Sequence, residues 1–314
     1  MTVAISDLAT IRAGGKAPLA TALSMIERSP HAPPVLALLT AAFDEPHAHV
    51  AGLTGPPGVG KSTLMNVLID SWRAGGRTVG VIAVDPSSPR TGGALLGDRT
   101  RLAGAPGDAG LFVRSMAARD RLGGLASLTY PAMILMRAIF DIVLVETVGV
   151  GQSETDVVNV ADTVVFCIQP GSGDSLQFMK AGITEIPDIA VVTKADLGAV
   201  AERALADMRG ALHFRAGNAG GWQIPTLAVS ATQGTGIDDL VTAIDRHGDW
   251  LRQGERLTDH RARQARHWLH DTVREKFGRD GLRRARDRFD LDQPDAPFAV
   301  EARVAAALTG ANAS

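Results

Sequence analysis

The sequence has very little cysteine, few aromatic residues and almost no excess charge. Its single cysteine, Cys167, excludes an internal disulfide framework and fits a reducing compartment. Aromatic residues make up 4% of the 314 residues, and the formal net charge of −2 gives the whole chain no electrostatic basis for binding nucleic acid. No apolar run reaches membrane-spanning length and the first residues lack a signal-peptide pattern, so we expect a cytoplasmic protein that binds no membrane.

The overall composition is typical of a globular protein, with 45% hydrophobic residues and a mean hydropathy of +0.07. Apolar segments alternate with amphipathic ones from His49 to about Asp249, which predicts an α/β fold with a mostly parallel sheet flanked by helices. The predicted strands span 49–54, 79–84, 111–114, 142–146, 163–168, 189–193 and 225–229, and the predicted helices lie near 61–74, 125–139, 197–212 and 236–247. Because Cys167 lies within a predicted strand, we expect a buried structural thiol rather than a nucleophile.

Helical patterns flank this α/β region on both sides. Residues 1–46 predict an N-terminal extension of three helices, 47–249 the α/β domain, and 250–314 an arginine-rich helical arm. The arm carries an apolar stripe that includes Trp268, and such a stripe needs a packing partner. Dimerisation through the arm and folding back onto the arm's own domain both satisfy that need, and we favour dimerisation.

A complete phosphate-binding pattern, G-x-x-x-x-G-K-[ST], lies between the first predicted strand and the helix after it. Its residues are Gly55, Pro56, Pro57, Gly58, Val59, Gly60, Lys61, Ser62 and Thr63. Small residues let backbone N–H groups turn towards phosphate oxygens, and the helix N-terminus adds a favourable dipole. Lys61 would reach the β and γ phosphates, and the Ser62 hydroxyl would bind Mg²⁺. The sequence therefore predicts a site for a nucleoside triphosphate.

Two loops that follow predicted strands carry candidate metal ligands and catalytic groups. In residues 85–101, Asp85 and Asp98 offer hard oxygen ligands for Mg²⁺, and Arg101 could offset charge on a transferred phosphoryl group. Without the phosphate loop, the same stretch would be interpreted as a solvated turn.

The second of these loops begins at Glu146, which could hold a metal-bound water. The Gly149 N–H could contact the γ-phosphate and lose that contact after hydrolysis, as nucleotide switches do. Gln152 is a candidate for orienting the attacking water, although glutamine is common in loops.

Two further strand ends predict recognition of the base. Asp196, in the sequence TKAD, could accept hydrogen bonds from both the ring N–H and the amino group of guanine, a donor pair that adenine lacks. The Lys194 stem would lie along the base. The Ala231 N–H, between Ser230 and Thr232, would meet the guanine carbonyl. The pattern favours GTP over ATP.

Several longer motifs resemble those of the MeaB-like GTPases associated with methylmalonyl-CoA mutase, a metallochaperone-type branch of the P-loop NTPases. They are GPPGVGKST, DPSSPRTGGALLGDRTR, VETVGVGQSE, QPGSGDSLQ and KAGITEI, and the resemblance covers nearly the whole chain. It implies a homodimeric, Mg²⁺-dependent GTPase whose arm dimerises. Its partner would be a cobalamin-dependent acyl-CoA mutase, with an adenosyltransferase as a further partner. Such a protein would gate the loading, protection and reactivation of adenosylcobalamin.

The resemblance also assigns roles to individual residues. Lys61, Asp98, Arg101, Glu146 and Gln152 would be catalytic, and Ser62, Asp85, Asp98 and Glu146 would hold the metal. The segment 169–186 would be a third switch that couples partner docking to the nucleotide, through Gln169, Gly171, Gly173, Asp174, Gln177 and Lys180.

One position departs from the family's pattern, and one motif is missing. Thr193 stands where the base-recognition motif usually has asparagine, a side chain that ties this loop to the phosphate loop, so we expect weaker guanine affinity. The cobalamin-binding motif D-x-H-x-x-G is absent from the sequence, so we expect that cobalamin is not bound directly.

Two other functions remain open on sequence grounds. A metal-delivery GTPase of the same branch would need clustered thiolates or imidazoles, whereas Cys167 is alone and only His267 and His270 are close helical neighbours. An ATP-dependent kinase of a transport system would prefer ATP, against which Asp196 argues.

Overall fold

Strand β1 (His49–Thr54), which leads into the phosphate loop, lies inside a parallel sheet and is buried along its whole length. This is seen in a computed structural model that describes residues 6–86, 107–118, 128–147, 156–171, 187–213, 221–292 and 296–310. The described strands are β1, β2 (Val79–Pro86), β3 (Leu111–Ala118), β4 (Ile142–Glu146), β5 (Thr163–Ile168), β6 (Ile189–Val192) and β7 (Thr226–Ala228). They pair in the order β3-β2-β4-β1-β5-β6-β7, every pair being parallel.

Helices lie before, between and after the strands in the described part of the chain. They are α1 (Leu8–Gly14), α2 (Lys16–Arg28), α3 (Pro33–Asp44), α4 (Lys61–Ala74), α5 (Thr129–Arg137), α6 (Ala199–His213), α7 (Ile237–Arg252), α8 (Arg256–Arg286) and α9 (Pro297–Thr309). Short 3₁₀ turns span Val157–Asn159 and Ala195–Leu197. The Asp7 side chain accepts a hydrogen bond from the Thr10 N–H and caps α1. None of the helices in the described ranges has the length and apolarity that a membrane crossing needs.

The predicted α/β fold is confirmed, and most predicted elements lie within a few residues of their observed positions. Among the strands, β3 differs most, because it continues four residues beyond the predicted 111–114, and among the helices α7 ends at Arg252, five residues beyond the predicted 247. Polar residues interrupt the apolar run at Arg114 and Ser115, but β3 still pairs with β2 in unbroken register to Ala118. The predicted start of the helix near 125 lies outside the described residues.

The chain divides into two compact units. The first consists of residues 1–48, 127–139 and 255–314, and the second of residues 49–126 and 140–254. The second unit holds the sheet, and its core is built from β1, α4, α7 and their neighbouring strands, with Trp72 the largest fully buried side chain among the residues described there. The three-domain division at 46 and 249 stays a prediction.

In the first unit, the apolar stripe of the arm packs against other parts of the same chain. Trp268 stacks on Tyr130 with ring centroids 5.4 Å apart and meets Phe298 at 4.9 Å. Leu269 and Val273 join the same buried cluster. The stripe therefore has a packing partner within the same chain, so its need for cover does not by itself favour dimerisation over folding back. Homodimerisation itself stays a prediction.

A buried chain of hydrogen bonds links β1, β5 and α7 in the second unit. The Thr163 hydroxyl lies 2.7 Å from His49 Nε2 and 2.7 Å from His247 Nδ1. A hydroxyl has one proton and two lone pairs, so it can donate to at most one of the two rings and accepts an N–H where it does not donate. Asp162 Oδ2 lies 3.8 Å from His49 Nδ1, and Asp188 Oδ1 lies 3.6 Å from His247 Nε2. All of these groups except Asp188 are nearly inaccessible to water.

We expect Thr163→Val to lower the free energy of unfolding by about 1–3 kcal/mol, because both buried imidazoles lose the hydroxyl while the side-chain shape is kept. Urea titration followed by circular dichroism measures the change. Thr242→Val, at an exposed position on α7, is the matched control and should change the value by less than about 0.5 kcal/mol. Equal unfolding free energies for the wild type and Thr163→Val would contradict the structural role of this chain of bonds.

Candidate functional site

The parallel sheet brings the predicted functional loops to one edge, because the carboxyl ends of parallel strands point the same way. Loops follow β1, β4, β5, β6 and β7 there. The phosphate loop follows β1 and ends at Lys61, the first residue of α4.

The phosphate loop makes a close approach to the neighbouring strand that only glycine permits. At Gly55, φ is 138°, and a Cβ atom would lie 2.1 Å from the carbonyl oxygen of Cys167. Gly58 and Gly60 also have positive φ, 77° and 96°, which glycine adopts without a side-chain clash. The backbone turns sharply between β1 and α4, as a loop that surrounds phosphate groups must do.

Lys61 is buried at 6% exposure, and its ammonium group points into the loop. Nζ donates hydrogen bonds to the carbonyl oxygens of Gly55, at 2.7 Å, and Pro56, at 3.1 Å. A positive charge fixed at this place is suited to phosphate oxygens. The phosphate-binding role of Lys61 stays a prediction.

Ser62 and Glu146 meet across the site although 84 residues separate them. Ser62 Oγ donates a hydrogen bond of 2.8 Å to Glu146 Oε1, at the end of β4. Next to Glu146, the buried Thr147 hydroxyl donates to the hydroxyl of Thr54 at 3.1 Å. Sequence analysis did not identify Thr54 and Thr147, yet each lies at or directly after the end of a predicted strand. The hydroxyl and carboxylate oxygens of Ser62 and Glu146 are hard donors of the kind that Mg²⁺ binds.

The predicted base-recognition residues come together at the ends of β6 and β7. Ser230 Oγ donates a hydrogen bond of 2.5 Å to Asp196 Oδ1 and lies 3.0 Å from Thr232 Oγ1. The backbone N–H of Ala195 donates to the Val229 carbonyl at 3.0 Å, which holds the two loops together. Asp196 is exposed, so its carboxylate is accessible to a ligand. Ala231 follows Ser230 in the same turn.

Thr193 supplies the tie between the base-recognition loop and the phosphate loop. Its hydroxyl lies 2.7 Å from the Val59 carbonyl and 3.0 Å from the Ile168 carbonyl, and the side chain is only 4% exposed. A shorter side chain than asparagine thus reaches the same loop. The premise that threonine leaves this connection unmade is wrong, and the expectation of weaker guanine affinity loses its structural basis.

Part of the predicted site lies outside the described residues. Asp85 belongs to β2, but its side chain lies outside the described residues, as do all atoms of a further group. That group consists of Asp98, Arg101, Gly149, Gln152, Gly173, Asp174, Gln177 and Lys180. Their roles stay predictions. Within the ranges that are described, no three His, Cys, Asp or Glu side chains gather as a metal site.

Cys167 is fully buried in β5, as expected for a structural thiol. Burial raises the pKa of the thiol to about 12, the positive charge of Lys61 opposes that rise, and the negative charge of Glu146 adds to it. The neutral thiol is therefore the stable form at neutral pH, and the part of Cys167 that faces Gly55 is its backbone carbonyl.

Comparison with known proteins gives consistent matches over most of the chain. Residues 19–283 match the family described as Methylmalonyl Co-A mutase-associated GTPase MeaB. A protein of Pyrococcus abyssi that carries a GTPase name is 46% identical over 220 residues, which are 69% of this chain and 68% of that protein.

Two further similarities concern a mouse protein and a solved structure. The mouse protein named Methylmalonic aciduria type A homolog, mitochondrial, is 35% identical over 227 residues, which are 71% of this chain and 55% of that protein. A crystal structure described as LAO/AO transport system kinase has a TM-score of 0.68 and 27% identity, and the match covers 96% of each chain.

The raised pKa of Cys167 predicts a thiol that does not react in the native protein. At pH 8 the thiolate is about one part in ten thousand, and burial further blocks reagents. We expect less than about 0.1 thiol per chain to react with Ellman's reagent in one hour, and the single thiol to react fully in guanidinium chloride. Rapid native labelling would contradict the placement of Cys167.

The Thr193 hydroxyl predicts a nucleotide effect that can be separated from folding. Thr193→Val removes the bond to Val59, and we expect GDP affinity to fall about 3- to 10-fold, the effect of one buried hydrogen bond. Thr193→Ser keeps the hydroxyl and should retain affinity within about twofold. Fluorescence titration with a GDP analogue measures both, and equal affinity of Thr193→Val and wild type would contradict this role.

Proposed function

The chain belongs to the family of methylmalonyl-CoA mutase-associated GTPases of the MeaB type, and we propose that it uses GTP hydrolysis as a chaperone of a cobalamin-dependent acyl-CoA mutase. In this role it gates the loading, protection and reactivation of adenosylcobalamin on methylmalonyl-CoA mutase or a close relative. The chain does not bind cobalamin itself. An adenosyltransferase that supplies the cofactor is the second expected partner.

The observation that carries the guanine part of the proposal is the position of Asp196. Its carboxylate is exposed at the sheet edge that also holds the phosphate loop, and Ser230 donates to its Oδ1 at 2.5 Å. A carboxylate in this place can accept from the N–H and amino groups of guanine, whereas adenine would leave it without those donors. The same argument disfavours an ATP-dependent kinase.

The phosphate part of the site is supported by Lys61, Ser62 and Glu146. Lys61 holds a positive charge inside the loop, where it can bind β- and γ-phosphate oxygens. The oxygens of Ser62 and Glu146 fit Mg²⁺, and with Asp85 and Asp98 they would hold it. When bound, Mg²⁺ would neutralise negative charge on the phosphates.

The names of the matching family and of the mouse relative support the proposed mutase partner. The matching family is described as associated with methylmalonyl-CoA mutase, and the mouse relative bears the name of a methylmalonic aciduria protein. Gln169 and Gly171, at the start of the segment assigned to partner coupling, lie at the same sheet edge as the nucleotide site. A partner that engages this segment would act close to the nucleotide.

We expect methylmalonyl-CoA mutase, or a related acyl-CoA mutase from the same organism, to raise the GTP turnover of this protein several-fold. Asp196→Asn supplies the specificity test, because an amide can donate to the carbonyl that xanthine has in place of the guanine amino group. Mutase should stimulate xanthosine triphosphate turnover by this variant and GTP turnover by the wild type. The wild type should prefer GTP, and Asp196→Asn should prefer xanthosine triphosphate, each by at least about tenfold.

The matched control is Asp207→Asn, an exposed aspartate on α6, which should keep the preference for GTP. The chaperone role is wrong if no cobalamin-dependent acyl-CoA mutase of the organism alters GTP turnover by the wild type or xanthosine triphosphate turnover by Asp196→Asn. An unchanged base preference in Asp196→Asn would instead show that guanine recognition is assigned to the wrong residue.

A further inference from the structure

Lys194 has an unusual backbone conformation. Its φ of 54° and ψ of 43° place it in the left-handed region, and among the described residues it is the only non-glycine with positive φ. Such a conformation is unfavourable for a residue with a side chain and persists only where neighbouring contacts hold it. Lys194 lies between Thr193 and Asp196, so the contacts that hold it also affect the position of the base-recognition loop.

Backbone hydrogen bonds fix the main chain on both sides of Lys194. The Thr193 N–H donates to the Ile168 carbonyl at 2.8 Å, and the Ala195 N–H donates to the Val229 carbonyl at 3.0 Å. The aminoalkyl side chain is exposed and has four rotatable bonds, so the backbone alone does not determine where it lies.

Two acceptors determine the direction of that side chain. Lys194 Nζ donates a hydrogen bond of 2.5 Å to Gln169 Oε1 and a longer one of 3.3 Å to the Gly58 carbonyl. Gln169 is the first residue after β5, and the next residue, Pro170, is buried, so the glutamine starts from a fixed backbone. Both bonds join the charged ammonium group to an amide oxygen, and the shorter one, to Gln169, is the stronger of the two.

We propose that Gln169 is a positioning residue for guanine recognition. Its carboxamide oxygen holds the ammonium group of Lys194 so that the methylene stem of the lysine forms one wall for the purine ring. The inference rests on the proposed guanine site. It extends that site to Gln169, which belongs to the segment assigned to partner coupling, and so connects that segment to the base.

Gln169→Ala should weaken GDP binding about 3- to 10-fold, mostly through faster dissociation, because the lysine side chain loses its stronger acceptor. Gln169→Glu keeps an acceptor for the ammonium group and should restore affinity to within about twofold of the wild type. Stopped-flow displacement of a fluorescent GDP analogue measures the dissociation rates. Gln223→Ala, at an exposed glutamine before β7, is the matched control and should change neither quantity.

A double-mutant cycle with Lys194→Ala tests whether Gln169 acts through the lysine. The combined variant should bind GDP no more weakly than Lys194→Ala alone. Competition by inorganic tripolyphosphate, which lacks a base, should be the same for Gln169→Ala and wild type.

The inference is overturned if Gln169→Ala binds GDP as the wild type does, if Gln169→Glu is no better than alanine, or if the two substitutions are additive. Equal losses of GDP and tripolyphosphate binding would also overturn it, because they would indicate a general disturbance of the strand end. A wild-type protein that fails to bind GDP would contradict the proposed guanine site itself, which keeps the two failures distinct.

Discussion

The packing of the phosphate loop against strand β5 is the constraint on which the rest of the site depends. A Cβ atom on Gly55 would lie 2.1 Å from the Cys167 carbonyl, so the loop can follow its path only with glycine there. From that starting point the chain turns into α4 with Lys61 pointing inward and Ser62 facing Glu146. Because β1 is parallel to both β4 and β5, the loops that follow these strands meet at one edge. The order of the strands thus brings residues that are distant in sequence within hydrogen-bonding distance.

Side-chain ties between the loops give this edge a definite geometry. Thr193 connects the end of β6 to the phosphate loop, Ser230 holds Asp196, and Lys194 links Gln169 to the Gly58 carbonyl. Each tie joins loops that follow different strands, so specific hydrogen bonds hold these loops to one another. These ties run from the phosphate loop to the loop that carries Asp196.

Much of the fold followed from local sequence patterns, and the failures have physical causes. Alternating apolar and amphipathic segments predicted β4, β5 and α4 at their observed limits, because buried parallel strands are continuously apolar and helices repeat every 3.6 residues. Strand β3 was predicted too short, since backbone pairing with β2 holds its polar residues in the sheet. The arm's stripe was assigned to a second copy because a sequence shows that an apolar face needs cover but does not show which segment supplies it. Tyr130 and Phe298 supply part of that cover.

The sequence by itself determined the phosphate loop, the α/β class, the family and the candidate residues for guanine, because glycine spacing and strand-end positions are properties of a continuous stretch of chain. Only the tertiary structure decided that Thr193 reaches the phosphate loop, that Ser62 meets Glu146 and that Gln169 holds Lys194. Each of these contacts joins residues between 25 and 134 positions apart, and the direction of a side chain across such a separation is set by strand order and register. No local pattern encodes that information, since register is fixed by pairing between strands that are distant in sequence.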